Sequence, residues 1–74
     1  METDLEVKMS WNLEGRRVIG MYMGEFPVAG VVRLSRVKYG GVVSHHVDLD
    51  KPIKVYNAMR ESVILDEPEV KGVL

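Results

Sequence analysis

The side chains best suited to chemistry lie close together in one short run. Ser44, His45, His46 and Asp48 are of types that ligate metals or take part in nucleophilic catalysis. Successive residues of a strand point to opposite faces, so the two histidines cannot hold one ion together. Ser44, His46 and Asp48 share a face, but two or three ligands without a fourth make a weak site. We therefore predict no metal ligand here, with Asp48 paired to Arg33 and His46 on the surface.

The sequence contains no arrangement typical of a catalytic site. Ser44 and His46 are neighbours on one strand face, but nothing marks an oxyanion hole or an exposed nucleophile turn. Gly40-Gly41 precedes a strand pattern, whereas a phosphate-binding loop precedes a helix. The chain has no cysteine for a thiolate site. We therefore predict a protein that is not an enzyme and has no cofactor, no metal and no small-molecule substrate.

A basic and aromatic surface is predicted around the middle of the chain. Residues 16–60 hold eight bases and three acids, a net charge of +5, although the whole chain has a net charge of −1. Cationic groups neutralise phosphates and an exposed tyrosine can stack on a base. The alternative is that the acidic termini neutralise this basic middle. The candidate residues for nucleic acid or another anionic partner are Arg33, Arg36, Lys38, Tyr39 and His46.

An apolar patch is predicted near the first loop. Methionine-rich surfaces adapt to protein partners, and a small domain also gains stability by covering an edge strand with a second copy. The alternative is that these residues fill the core. We favour binding of a protein partner or self-association, with nucleic-acid binding as the second interpretation and no membrane partner. The patch consists of Met21, Met23, Phe26 and Pro27, with Val28 beside them.

These surfaces depend on a hairpin centred on Gly40-Gly41. Both glycines can take the positive φ angle that a two-residue hairpin turn requires. Folding there brings apolar residues together on one face and opposite charges together on the other. The predicted cross-strand pairs are Val32–Leu49, Arg33–Asp48 and Leu34–Val47.

Alternation of apolar and polar residues predicts up to six strands. The first strand, Leu5–Leu13, has a helical alternative, because Thr3 and Glu6 fit a capping box. A turn at Glu14-Gly15 would pair Trp11 with Val18. The other predicted strands are Arg16–Met23, Val28–Tyr39, Val42–Leu49, Ile53–Tyr56 and Ser62–Leu65.

Two further features complete this prediction. The apolar parity of the third strand switches at Ser35-Arg36, which indicates a bulge or a strong twist. Asn57–Arg60 lacks alternation and is predicted to form a single 3-10 or helical turn. Residues 1–74 are then one domain with its core at roughly 5–66 and a loose tail at 67–74.

Several short strands in so small a chain favour an all-β fold. We predict an antiparallel barrel of five to six strands, with one short 3-10 turn before the last strand, because closure removes exposed edges. The chain has no apolar run of the length needed to cross a bilayer and no signal peptide pattern. We expect a cytoplasmic protein.

The pattern of Gly15-Arg16-Arg17-Val18-Ile19-Gly20-Met21-Tyr22 resembles the first strand of SH3-like small barrels of the tudor and KOW kind. The predicted turn before a short final strand is also similar to theirs. The resemblance covers roughly residues 15–65 and implies a barrel that acts by binding. The aromatic cage of tudor domains is not matched, because Tyr22, Phe26, Tyr39 and Tyr56 are scattered along the chain. Methyl-lysine recognition is therefore not implied.

Overall fold

A computed structural model describes residues 11–74. The described chain forms five antiparallel strands in one sheet, with the order β4-β3-β2-β1-β5. This confirms the all-β antiparallel class with one 3-10 turn before the last strand, although the turn lies at Glu67–Glu69 and not at the predicted Asn57–Arg60. The elements are β1 (Arg17–Tyr22), β2 (Phe26–Val37), β3 (Val43–Val55), β4 (Ala58–Asp66), the 3-10 helix η1 (Glu67–Glu69) and β5 (Val70–Val73).

The sheet is not closed into a barrel. β4 and β5 are its two edges, and no strand pairing joins them within residues 11–74. The sheet is curved enough that β1 contacts β4 across the core, while η1 packs against β1, β3 and β4. The sheet is therefore open where a closed barrel was predicted, and η1 connects the two edge strands, β4 and β5, along the chain.

The inward face of the sheet carries the core. Val32, Val47 and Val63 lie side by side on β2, β3 and β4, and all three are buried. Val18 of β1 and Leu65 of β4 join them in one cluster. β-branched side chains suit this position because they pack well on a pleated surface.

The central hairpin turns at the predicted glycines, but its loop is longer than predicted. Gly40 and Gly41 have φ angles of 95° and 89°, as expected of paired glycines in a tight turn. The Gly41 N–H donates to the Lys38 carbonyl at 2.9 Å, and the Lys38 N–H donates to the Val42 carbonyl at 2.7 Å. The loop therefore has three residues instead of two, which shifts the pairing of the strands by one.

The predicted pairs are consequently wrong in register. Leu34 faces His46, and Val32 faces Val47, with a register shift between these two pairs at Arg33. The shift moves Leu34 to the outer face and turns Ser35 inward. The predicted change of apolar parity along the strand therefore occurs, but it begins at Arg33, two residues before the predicted position. The Arg33–Asp48 ion pair does form, with Nε to Oδ1 at 3.1 Å, because a long side chain tolerates the shift.

Two of the predicted strands, 42–49 and 53–56, belong to the single strand β3. Its pairing with β4 shifts between Asp48 and Ile53. Pro52 lies in this shift, where its missing N–H removes no bond to β4. Asn57–Arg60, predicted as a helical turn, instead contains the end of a tight turn and the first residues of β4.

Residues 67–74, predicted as a loose tail, form η1 and the edge strand β5. Val18 pairs with Val73, and Ile19 pairs with Gly72. β2 occupies the other edge of β1, so the predicted pairing of Trp11 with Val18 does not form. The turn at Glu14-Gly15 is present, and the part of the predicted first strand at residues 5–10 lies outside the described residues.

Candidate functional site

An apolar groove lies on the outer face of the sheet, and residues of four strands line it. Ile19 pairs with Ala29, and Met21 pairs with Pro27, so all four side chains point to the same face. Val18, next to Ile19, points to the core and is fully buried, whereas Ile19 is 41% exposed. We call the surface formed by Ile19, Met21, Pro27 and Ala29 the apolar groove; its volume is about 590 Å³.

The neighbouring strands supply the flanks of the apolar groove. Asp50, Lys51 and Ile53 come from β3, and Lys71 comes from β5. The Arg17 guanidinium forms an ion pair with Asp50, which neutralises the carboxylate. Lys71 donates from Nζ to the carbonyl of Pro68 at 3.1 Å. The flanks therefore keep two positive charges beside an apolar floor.

The predicted protein-partner patch is divided between two faces and a turn. Met21 and Pro27 line the apolar groove. Phe26 pairs with Tyr22 on the opposite face, and Val28 is buried in the core. Met23 is 51% exposed in the turn between β1 and β2. The four predicted residues therefore do not form one surface.

Phe26 packs against an aromatic residue from the turn between β3 and β4. The rings of Phe26 and Tyr56 meet edge to face, with centroids 5.7 Å apart. The Tyr56 hydroxyl donates to Oε2 of Glu25 at 3.3 Å. The negative charge of Glu25, together with this hydrogen bond, raises the pKa of Tyr56. The contact joins the two hairpin turns at one end of the sheet.

Four of the predicted nucleic-acid residues lie together around a second, shallower depression. Ser44 and Ile64 complete its walls. Arg33 instead lines a neighbouring depression with His46 and Arg60. Tyr39 is fully exposed at the hairpin tip. The four residues are Arg36, Lys38, Tyr39 and His46.

Ion pairs reduce the positive charge of the predicted nucleic-acid residues. Arg33 is paired with Asp48, and Lys38 Nζ lies 3.1 Å from Oδ1 of Asp66. Within residues 11–74, Arg36 is the cation of the predicted set that has no carboxylate partner. The surface therefore presents less uncompensated charge than the sequence indicates.

A chain of polar groups crosses the core beneath this surface. Ser35 Oγ lies 2.7 Å from Nδ1 of His45, and Nε2 of His45 lies 2.8 Å from Oε1 of Glu67. A carboxylate only accepts, so Nε2 donates to Glu67 and Nδ1 of a neutral ring accepts from Ser35. The Leu13 N–H donates to Ser35 Oγ at 3.0 Å. We call Ser35, His45 and Glu67 the buried polar chain.

The buried polar chain has the residue types of a nucleophile, a base and an acid, but its members are arranged to satisfy one another's hydrogen bonds. His45 is fully buried and Ser35 is 6% exposed. The Ser35 hydroxyl is already shared between two partners, so it is not presented to a substrate. The chain ties β2, β3 and η1 together at the place where β2 changes parity.

Several residues of these sites lie beyond what the sequence predicted. Lys71 and Glu67 fall in the segment interpreted as a tail, so nothing in the sequence placed them against β1 or β3. Ile19 did have a signal, because Arg16–Met23 carries apolar residues on both faces. Residues 11–74 hold no group of three or more histidine or acidic side chains arranged to bind a metal ion.

Comparisons with known proteins found no match to a family, to a curated protein or to a solved structure. Within residues 11–74, no helix has the length and apolar character needed to cross a membrane.

Proposed function

We propose that this chain is a non-enzymatic binding module with an accessory or regulatory role, and that it engages a protein partner through the apolar groove. The observation that carries the proposal is the exposure of Ile19 beside half-buried Met21 and Ala29 on one sheet face. A concave apolar surface with charged margins is typical of an interaction site. The alternative within the same proposal is that a second copy of the chain occupies the groove.

We further propose that the sheet is an SH3-like small barrel that has opened. The strand order places β1 between β2 and β5, and a single 3-10 turn directly precedes the last strand. Both features support this interpretation of the fold. Small barrels of this kind are scaffolds for many binding functions, so the function is argued from the groove and not from the scaffold.

The chain offers a matched pair of variants for testing the groove. Ile19→Asp places a charge in the apolar groove, and Ile64→Asp places the same charge on β4 at a residue of similar exposure, 49% against 41%. We expect wild-type protein, bound to resin, to capture a partner from nuclease-treated lysate of the source organism. Ile64→Asp should capture the same protein, and Ile19→Asp should lose it.

Circular dichroism and a thermal melt decide whether each variant folds. If Ile19→Asp unfolds, Ala29→Gln serves instead, because it fills the groove without adding a charge. Capture that survives both groove variants would show that the partner binds elsewhere. Sedimentation of wild-type protein at high concentration separates self-association from binding of another protein.

Nucleic-acid binding is the second candidate. Arg36, Tyr39 and His46 line one depression, and Tyr39 is fully exposed. This arrangement supports stacking of Tyr39 on a base and contact of Arg36 with a phosphate. The joint change Arg36→Ala and Lys38→Ala should then abolish binding of a fluorescent single strand, and added salt should weaken wild-type binding steeply. Unchanged binding in this double variant would remove the candidate.

A further inference from the structure

We infer that the apolar groove binds an extended segment of a partner protein that has apolar residues in its middle and a carboxylate towards each end. This inference rests on the proposed function, because it specifies the chemistry of the partner for the same groove. It follows from the charges on the two flanks, from the width of the groove and from the pairing of the strands beneath it.

Two ammonium groups flank the groove, one on each side. Lys51 belongs to β3 and Lys71 belongs to β5. Among the described residues that line the groove, Asp50 is the one carboxylate, and Arg17 is already paired with it. Within residues 11–74, neither Lys51 nor Lys71 forms an ion pair. The flanks therefore complement carboxylates and disfavour cationic segments.

The order of the strands sets the distance between the flanks. β3, β2, β1 and β5 are consecutive neighbours in the sheet, so three intervals of about 4.8 Å separate the outer two, roughly 14 Å in total. An extended segment rises about 3.3 Å per residue, so about four residues bridge the floor. Carboxylates on either side of such a stretch come within reach of the two lysines.

A partner must be recognised by the side chains of the groove and not by its backbone. β1 and β2 each have a neighbour on both edges, so their backbone groups are committed to the sheet and cannot pair with an added strand. Ile19, Met21 and Ala29 therefore supply apolar contact, and Lys51 and Lys71 supply the preference for charge. Exposed charge pairs are weak and are screened by salt, so the preference should be moderate.

The test uses two fluorescent peptides with the same leucine and valine centre of four residues. One carries aspartate at each end of this centre, and the other carries lysine. At low salt we expect wild-type protein to bind the aspartate peptide about tenfold more tightly than the lysine peptide by fluorescence anisotropy. The joint change Lys51→Glu and Lys71→Glu should reverse this order, and added salt should reduce both differences.

Arg16→Glu with Lys54→Glu is the matched control, since it changes the charge equally at exposed positions that do not line the groove. This control should keep the preference for aspartate.

Equal binding of both peptides by wild-type protein, with loss of that binding in Ile19→Asp, would overturn the charge inference and would not contradict the proposed function. Binding of neither peptide, or a preference for lysine, would also overturn the inference, while the capture experiment decides the proposed function by itself. Dimerisation abolished by Ile19→Asp would identify a second copy as the occupant instead.

Discussion

Ser35 and His45 are polar side chains buried in a core that consists mainly of valine and leucine. Buried polar atoms are costly unless they are hydrogen-bonded, and no described buried side-chain nitrogen or oxygen lacks a partner. Glu67 is itself partly exposed and provides the outer end of the buried polar chain. The buried polar chain therefore holds η1 against the sheet, because Glu67 of η1 is the partner of His45 Nε2.

Ser35→Ala tests this role. The variant removes the acceptor of the Leu13 N–H and the partner of His45 Nδ1, and leaves these buried groups unpaired. We expect a loss of roughly 1–3 kcal/mol in the free energy of unfolding, measured by urea denaturation. Ser62→Ala, an exposed serine on β4, is the control and should change stability little. An equally small effect of Ser35→Ala would contradict the structural role of the chain.

Tyr56 is expected to lose its proton at a higher pH than an ordinary tyrosine because of its contact with Glu25. The adjacent negative charge, and the hydrogen bond that the hydroxyl donates to it, raise the pKa of Tyr56 above its usual 10.0. The folded state therefore gains stability from the neutral phenol at pH values below the unfolded pKa, and this gain is lost as the pH rises through the folded pKa.

Glu25→Gln should return the pKa of Tyr56 to its ordinary range, since it removes the charge and keeps an oxygen that accepts. Carbon NMR of labelled tyrosine separates Tyr56 from the other two tyrosines, which serve as internal references. Coincident titration of Tyr56 in the variant and the wild type would mean that the contact with Glu25 does not persist in solution.

The turns between strands explain both the success and the failure of the sequence prediction. Positive φ at Gly40 and Gly41 follows from their lack of a side chain, and alternation located β1, β2 and the first half of β3. The sequence did not determine the length of the loop between them, since the same two glycines fit loops of two or three residues. Register depends on that length, so the pairs derived from it were wrong.

β5 was missed for a different reason. Val70–Val73 is short, contains Gly72 and follows Pro68, so its local pattern is that of a tail. What makes it a strand is the free edge of β1, which is more than forty residues away in sequence. Lys71 of the apolar groove was missed with it. Met21 was identified on a predicted strand, and Pro27 was identified as part of the apolar first loop, although the structure places it in β2.

The turn between β1 and β2 contains a side chain in an unfavourable backbone region. Met23 has a φ angle of 56°, and Gly24 has a φ angle of 74°. They are the two central residues of a β-turn that the Glu25 N–H closes on the Tyr22 carbonyl at 3.1 Å, within a three-residue loop. Asparagine followed by glycine is the preferred pair for such a turn. The methionine therefore costs stability that an asparagine would not.

Met23→Asn should raise the free energy of unfolding by about 0.5–1 kcal/mol. It should not affect partner capture, because Met23 does not line the apolar groove. Thermal unfolding measures the first effect and the capture experiment measures the second. Met21→Asn, the same change on the adjacent strand, should give no gain in stability and should weaken capture. A variant at Met23 that loses the partner would extend the binding surface to this turn.

At the scale of the whole molecule, residues 11–74 share one small core, and each of the five strands contributes to it. In a chain of 74 residues only about 60% of the unfolded surface is buried on folding. Val70 of β5 packs against the buried cluster, and Leu74 donates its N–H to the carbonyl of Arg17 at 2.8 Å. β5 also covers the edge of β1, which would otherwise present unpaired backbone groups to another chain. The C-terminal strand is therefore part of the folded unit and not an appendage.

Deletion of residues 70–74 should abolish cooperative unfolding or lower the midpoint of a thermal melt far more than any single surface change. The deletion removes the cover of β1, one side of the apolar groove and an apolar contact of the core, so we also expect aggregation in size-exclusion chromatography. Val70→Ala is the control: it keeps the backbone of β5 and should cost only about 1 kcal/mol. If residues 70–74 made no contact with the sheet, the shortened chain would have the same melting midpoint as the full chain and would show no aggregation. That result would contradict the pairing of β5 with β1, and with it the position of Lys71 beside the groove.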